Sequence, residues 1–430
     1  MPWDKLTLIT KTLPWYLPFL IRGTLQRLSA IWHKHTYAET PNAQTIVVIG
    51  GSFAGLQTVR RLTETLPTGY KVIWIERNSH LNYVFAFPRF SVLPGFEQRA
   101  FIPYDGVEQA APRGLLKRIQ GRVVSIEDGA VRLESGERVE YNYLVIATGS
   151  TRSVPGQLVA TERADACDEL RAVQALIKDS RKIAVVGAGA VGVELAADIR
   201  DFYPESEVTL VHSRGQVLNR FGKRLQEFAL KTLQDELKVR VLLNERPVLP
   251  SGGAIATSAS LKFSDGSEEG FDLVIRCTGQ TPNSSIISSL HPGAISESTS
   301  QILVKPTLQI FTPDCDKESD QRIFALGDVA AHPGPLMARA GFMQAETVVS
   351  NLLSLVKGQE PKTIYKPTWF IEGAIKLTLG RAKHVIYMSD VDGTEVLVSS
   401  GGGSLDMDVG HAWKQFGGLA EKDEEKKKSD

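Results

Sequence analysis

The apolar positions of this chain repeat one pattern twice. Two short β-branched runs, "TIVVIG" (Thr45–Gly50) and "KIAVVG" (Lys182–Gly187), each lead through a glycine turn into a helical pattern. Each helix is followed by a second apolar run, "YKVIWIE" ending at Glu76 and "EVTLVHS" ending at Ser213. A continuous apolar run bounded by turn residues predicts a buried strand, and apolar spacings of three and four predict one face of a helix. Strand, turn, helix and strand within about 30 residues is the size of a βαβ unit. The first helix is expected from about Ala54 to Glu64. Three strand-like runs lie between Arg118 and Ile146, separated by turns at Asp128–Gly129 and Ser135–Gly136. Further strands are expected near Lys238–Leu243 and Ser260–Phe263, then in "FDLVIRCTG" and "RIFALGD". A long helical pattern, "MARAGFMQAETVVSNLLSLVKG", follows, and strand-like segments come after "IYKP".

Each unit is followed by a strand ending in Thr-Gly, at Thr148–Gly149 and Thr278–Gly279. The pattern predicts an α/β fold of two Rossmann-like dinucleotide-binding domains, one inserted in the other, with a small C-terminal α+β region. The expected boundaries are 1–44 for an N-terminal amphipathic or targeting segment, 45–155 with 285–365 for the first domain, and 156–284 for the second. Residues 366–420 form the C-terminal region, and 421–430, a mixed charge run, a solvated tail.

The N-terminal segment departs from this pattern. In "LPWYLPFLIRGTLQRLSAIWHKH", Leu17, Leu20, Ile21, Leu25, Leu28, Ile31 and Trp32 share one helical face, and Arg22, Gln26, Arg27, His33 and Lys34 fall largely elsewhere. Pro18 suits the first position of a helix. A basic amphipathic helix with interfacial tryptophans is a type that lies on membrane surfaces. A terminal helix packed on the protein's own body and a cleaved mitochondrial presequence fit the same residues. A mitochondrial membrane is the expected location, with the cytoplasm or a lipid-droplet surface as alternatives. Residue 2 is Pro, so there is no myristoylation start. No run of about 18 apolar residues is present to span a bilayer.

Composition narrows the chemistry. Lys plus Arg and Asp plus Glu are 49 each, so no global basic field draws the chain to nucleic acid. The cysteines, Cys167, Cys277 and Cys315, stand far apart in sequence. That leaves no local dithiol or thiolate metal site, and no metal is expected.

The glycine turns carry the sharper signal. Gly187, Gly189 and Gly192 complete G-x-G-x-x-G between a strand and an Ala-rich helix, with Ala190 and Val191 between them. The first glycine makes the turn, the second admits a pyrophosphate, and the third lets helix and strand pack closely. In the first unit the three positions hold Gly50, Ser52 and Gly55, within the cradle Gly50, Gly51, Ser52, Phe53, Ala54 and Gly55. The fold also expects an acid about 20 residues on, for the ribose hydroxyls. Glu76, followed by Arg77, supplies it in the first unit. In the second the place is held by His212, followed by Ser213 and Arg214. Without the carboxylate a 2′-phosphate is not repelled, and Arg214 is placed to pair with one, so NADPH is favoured.

The ordered motifs GGSFAG, ATG, GAGAVGVE, CTG and ALGD resemble the FAD-dependent pyridine-nucleotide oxidoreductases with two dinucleotide-binding domains, over roughly residues 45–360. The resemblance implies FAD in the first cradle and NAD(P)H as an exchanging co-substrate in the second. It implies that Asp328, after Gly327, holds the FAD ribitol, and that Val124, Ala147, Thr148 and Gly149 join the flavin site and Gly279 the nucleotide sites. The C-terminal third resembles the apoptosis-inducing-factor-like, ferroptosis-suppressor-like branch. That implies electrons passed to a quinone at a membrane, with Glu194 near nicotinamide and flavin and Lys366 near the flavin edge. His80, Asn82 and Arg89 fall in a segment expected to approach the flavin. Trp369, Phe370 and Trp413 are candidates to receive a lipid-soluble acceptor. Reduction of a protein electron carrier, and redox-sensing signalling, stand as alternatives.

Overall fold

The computed structural model describes residues 2–250, 253–312 and 321–418. The charged tail at 421–430 and Cys315 lie outside the described residues.

The chain opens with helix α1 (Pro2–Thr36), described below, and enters a parallel sheet. Strand β1 (Gln44–Ile49) runs through a turn into α2 (Phe53–Thr65) and back through β2 (Tyr70–Glu76). β3 (Leu116–Gln120) pairs in parallel beyond β2, and β4 (Tyr143–Ile146) pairs in parallel on the other side of β1. Both faces of β1 are apolar because both are covered. Ile46 and Val48 meet α2 residues such as Leu56 and Val59. Val47 and Ile49 meet a layer that includes Ile126 and Val131, from a three-stranded antiparallel sheet (Val123–Glu127, Ala130–Leu133, Arg138–Glu140).

The chain then builds a second sheet. β5 (Lys182–Val186), α3 (Ala190–Phe202) and β6 (Glu207–Val211) repeat the first unit, and β7 (Arg240–Leu242), β8 (Ile255–Lys262) and β9 (Glu268–Arg276) complete the order β7-β6-β5-β9-β8. β10 (Ile323–Ala325) rejoins the first sheet beside β4, giving β10-β4-β1-β2-β3. The second dinucleotide fold is therefore inserted in the first. Where the chain crosses between them, Ser150–Arg152 pairs antiparallel with Gln280–Pro282. Helix α4 (Ala338–Val356) packs on α2. A three-stranded antiparallel sheet, β11 (Ile375–Thr378), β12 (Lys383–Ser389) and β13 (Glu395–Gly401), leads to α5 (Val409–Phe416).

Some boundaries differ from the pattern-based expectation. The three runs of 118–146 are five strands, because the first breaks at Gly121–Arg122 and the third at Tyr141–Asn142, and the pieces join different sheets. The strand expected near Ser260 begins at Ile255. It pairs antiparallel with β9 across the tight turn at Asp265–Gly266, and its Ala/Thr/Ser stretch carries too little apolar contrast to show in sequence.

The N-terminal helix is also longer than expected. It begins at Pro2, and Pro18 lies inside it with Pro14 rather than opening it. Each interior proline removes one ladder hydrogen bond. The helix is held at intervals along the body: Asp4 pairs with Arg224 at 2.8 Å, Lys11 with Asp390 and Asp392 at 2.8 and 2.9 Å, Arg22 with Glu346 at 3.1 Å, and His33 Nε2 bonds the Leu66 carbonyl at 2.6 Å. These contacts leave the apolar face outside. Leu13, Leu17, Ile21, Leu25, Leu28 and Trp32 are all exposed. No helix of the described residues is long and apolar enough to cross a membrane.

Candidate active site

A continuous cleft of about 2540 Å³ runs between the two sheets. Its walls include the first cradle from Gly50 to Ala54, the second from Gly187 through Gly189 to Val191, and both Thr-Gly turns.

The glycines do different work. At Gly50 (φ +106°) an added Cβ would lie 2.2 Å from the Ala147 carbonyl oxygen, and at Gly187 (φ +116°) 2.6 Å from that of Cys277. These two make the turns and let the Thr-Gly loops approach. Gly55 and Gly192 do not line the cleft; a Cβ at either would strike the carbonyl oxygen of Gly50 or Gly187, so each is a packing glycine between helix and strand. At Gly189, by contrast, a Cβ would meet nothing within 4 Å. The protein itself does not require the middle glycine, which explains how Ser52 can replace it. Ser52 caps α2 in extended conformation, and its hydroxyl makes no capping bond. It is exposed in the cleft at a helix N-terminus, where a phosphate would be stabilised.

Glu76 and Arg77 line the cleft. The buried Glu76 carboxylate accepts from the Gly51 N–H and, at 2.8 and 2.9 Å, from the backbone and side-chain nitrogens of Asn78. Burial pushes its carboxyl up, against the pull of those donors. Gly51 is sterically required as well: a Cβ there would fall within 3 Å of Glu76, Tyr104 and Trp74. In the second unit the matching backbone N–H, that of Ala188, donates to Nδ1 of His212 at 3.2 Å. Ser213 lines the cleft beside it, and Arg214 does not.

Asp328, Gly327, Ala147, Thr148, Gly149, Val124 and Gly279 all reach the cleft wall. Asp328 takes three donors on Oδ2, from Ser150 (3.0 Å), Arg152 (3.1 Å) and Gln280 (2.8 Å). Oδ1 makes no hydrogen bond among the described residues, which leaves an acceptor for a polyol. With the two steric cradles, the uncommitted Ser52 hydroxyl and Glu76, these groups fit FAD in the first unit and a nicotinamide dinucleotide in the second.

Glu194 lies on α3 at the cleft wall, buried, with Oε1 accepting from the Thr378 N–H at 3.0 Å and hydroxyl at 3.3 Å. Burial pushes its carboxyl up to about 8, with the charge of nearby Asp198 adding to the effect. Asp198, one turn on, is fully buried and pairs with Arg89 at 2.8 Å; burial raises it to about 6 against Arg89. The guanidinium pairs with Asp198 and not with Glu194, so Glu194 is the one that keeps a proton near neutrality.

Besides Gly55 and Gly192, four expected site residues lie off the cleft wall. Arg89 is buried behind α3, bound to Asp198 and to the Gly380 carbonyl, and cannot touch a cofactor in the cleft. His80 is fully buried between Ser79 Oγ and Asn82 Oδ1, with burial lowering it to about 4; of that segment Leu81 and Asn82 reach the cleft. Lys366 is exposed outside the lining, because its neighbour Tyr365 takes the inward position and bonds Glu372. Arg214 stands off the wall. The expected aromatic surface is also partly relocated. Trp369 lines the cleft, but Phe370 belongs to the core and Trp413 donates to the Arg99 carbonyl. The aromatic wall is instead Phe53, Tyr83, Phe85, Phe342 and Phe416, with Phe342 and Phe416 stacked at 6.1 Å. These residues come from four distant segments, so no local pattern announced them. Trp15 and Arg22 of α1 line the same cleft.

Cys277 is half-buried at the cleft wall beside the second cradle, its thiol pushed up to about 12 by desolvation, and Cys167 is buried. Neither is a reactive thiolate.

A fold of two nested dinucleotide domains, both opening on one cleft, defines a two-cofactor redox protein, and comparison with known proteins agrees. Residues 44–350 match the pyridine nucleotide-disulphide oxidoreductase family, to which the chain belongs; it is an FAD-dependent pyridine-nucleotide oxidoreductase of the ferroptosis-suppressor-like branch. It is 34% identical over 401 residues to Fe-regulated protein 8 of Mycosarcoma maydis, covering 87% of this chain and 95% of that one. It is 31% identical over 335 residues to ferroptosis suppressor protein 1 of Homo sapiens, covering 75% and 83%. Among solved structures, the sulfide:quinone oxidoreductase of Aquifex aeolicus shares the fold, with a TM-score of 0.68 at 18% identity, over 89% of this chain and 94% of that one.

Proposed function

We propose that the protein is an NAD(P)H:quinone-type oxidoreductase acting at a membrane surface. The observation that carries this reading is the continuity of the cleft, from the second cradle through the first to an aromatic mouth flanked by α1. The first cradle, with Glu76 and Asp328, would hold FAD, which would supply the redox chemistry between NAD(P)H in the second cradle and the acceptor. Reducing a quinone to its quinol takes two electrons and two protons, and a hydride brings two electrons and one proton. Glu194, protonated at the cleft wall near neutral pH, supplies the second. The aromatic wall gives a flat, apolar acceptor its binding surface.

Helix α1 supplies the membrane contact. Its outward apolar face is bordered by the exposed Lys5, Arg27 and Lys34, the arrangement of a helix lying in a bilayer interface. At about 1.5 Å per residue, its 35 residues span about 50 Å. The bonds of α1 to the body favour a retained anchor over a cleaved leader.

The test is spectroscopic. The purified protein should carry flavin absorbance that NADPH or NADH bleaches and a short-chain quinone restores. Absence of flavin defeats the reading; bleaching that quinone does not reverse favours a protein electron carrier or redox sensing. Replacing Leu13, Leu17 and Leu20 with Ser should abolish flotation with vesicles while turnover of a soluble quinone persists.

A further inference from the structure

The end of β6 holds a donor where the fold ordinarily holds an acceptor. In the first unit Glu76 occupies this position, and its carboxylate would accept from ribose hydroxyls. In the second unit His212 accepts the Ala188 N–H on Nδ1 at 3.2 Å, which fixes the neutral ring as the Nε2–H tautomer. Among the described residues Nε2 is buried and makes no hydrogen bond, with the Asn219 side chain beside the ring on the cleft wall. Burial, followed by the charge of Arg214, lowers the ring's basicity, and a second proton would cost the bond to Ala188. His212 therefore presents a neutral N–H at the position that addresses the ribose.

The unpaired charges around it are positive. Arg220 and Arg246 line this part of the cleft, and neither has an ion pair or hydrogen bond among the described residues. Glu245, a neighbouring carboxylate on the wall, is taken by the Ser264 N–H at 2.7 Å and hydroxyl at 2.6 Å. A ribose 2′-hydroxyl here finds no carboxylate at the strand end to accept its proton. A 2′-phosphate, which has only lone pairs to offer at its anionic oxygens, finds a buried donor and two unpaired guanidinium groups.

We propose that the second cradle reads the 2′-phosphate of NADPH through His212 Nε2–H, with Arg220 and Arg246 as its counter-charges. This rests on the second cradle holding a nicotinamide dinucleotide and deepens that reading. It replaces Arg214, which stands off the wall, as the expected phosphate partner.

The test uses the oxidised, flavin-loaded protein and titrates NADP+ and NAD+, which differ only in the 2′-phosphate, so no acceptor enters the measurement. NADP+ should bind at least tenfold tighter, with the preference shrinking as salt is raised. His212→Asp should invert the preference by repelling the phosphate and accepting from the ribose. Arg220→Ala with Arg246→Ala should weaken NADP+ about tenfold and leave NAD+ within twofold. Retained flavin absorbance and an unchanged melting temperature check each variant's fold. Equal affinities in the parent protein, or an unchanged ratio in His212→Asp, overturn the proposal while leaving hydride transfer from NADH intact. If neither nucleotide binds, the proposal falls together with the assignment of the second cradle.

Discussion

The two βαβ units run in step and differ in chemistry. Residues 50–65 and 187–202 correspond one to one, and α2 and α3 each have 13 residues. In both, the backbone N–H after the first glycine is fixed by the residue at the end of the second strand: Gly51 by Glu76, Ala188 by His212. The first unit thereby fixes an acceptor and the second a donor. Along the helices, Gln57 matches Glu194 and Arg61 matches Asp198. Gln57 and Arg61 both bond Glu346, whereas Asp198 pairs with Arg89 and Glu194 accepts from Thr378. One scaffold carries different polar groups at three matching places, of opposite charge at Arg61 and Asp198, which suits the first unit to a resident cofactor and the second to an exchanging one.

The packing glycines test this division most severely. Gly55→Val forces a side chain into the Gly50 carbonyl, and we expect purified protein without flavin. Gly192→Val makes the matching clash with Gly187. There we expect flavin retained and bleaching by NAD(P)H lost, read by absorbance before and after addition. Loss of flavin from both variants would show that the units do not bind independently.

The next largest effect is at Glu194, where Glu194→Gln imports the first unit's residue. Loss of a positioned acid typically costs about 10²–10⁴-fold in rate. We expect quinone turnover to fall by about 10²-fold while reduction of the flavin by NAD(P)H changes little, a split that stopped-flow resolves. The folded-state value of about 8 lies above the ordinary 4.5. The proton-carrying form therefore predominates at pH 7, and turnover should decline as pH rises through 8. In the glutamine variant that limb should disappear. The same sign governs stability: the stabilisation from this group is complete below pH 4.5 and lost as pH rises through 8, so the variant should lose less melting temperature than the parent between pH 6 and 9.

A smaller effect is expected where Glu76 is replaced by His, importing the second unit's strand end. The Gly51 N–H keeps an imidazole acceptor, as Ala188 has, but the ribose loses its carboxylate, and a hydrogen bond to a charged group contributes about 1.5–3 kcal/mol. Flavin should be lost on dialysis at roughly ten times the parent's rate, with nicotinamide binding unchanged.

The sequence made the paired architecture readable because glycine turns, β-branched strands and terminal acids are local signals. Gly50, Glu76, Thr148, Gly187 and Asp328 all came to one cleft as their motifs implied. What sequence concealed depends on packing between distant segments. Arg89 looks like a cofactor contact until Asp198, far along the chain, is seen to hold it. The aromatic wall has no periodicity, because Phe53, Phe85, Phe342 and Phe416 come from separate elements. The outward turn of α1 was equally hidden: amphipathicity reveals that a helix has an apolar face, and only the ion pairs of its polar face show which side the body takes.

The smallest effect expected is at the middle position of the cradles, where Ser52 and Gly189 can be exchanged. Both cap their helices in extended conformation, with φ of −80° and −74°, and neither makes a side-chain capping bond. Replacing a capping serine with glycine costs only a few tenths of a kcal/mol, so Ser52→Gly should leave melting temperature within a degree or two. What it removes is a hydroxyl donor toward a pyrophosphate, worth about 1 kcal/mol, and flavin affinity should fall about fivefold by fluorescence titration. The added Cβ of Gly189→Ser meets no protein atom within 4 Å, so fold and flavin should be unchanged. Any effect must come through the ligand, as a change of a few fold in the KM for NAD(P)H. If Gly189→Ser instead lowered stability, the middle glycine would be a demand of the chain, and Ser52 would mark a real difference in backbone between the two units rather than a tolerated one.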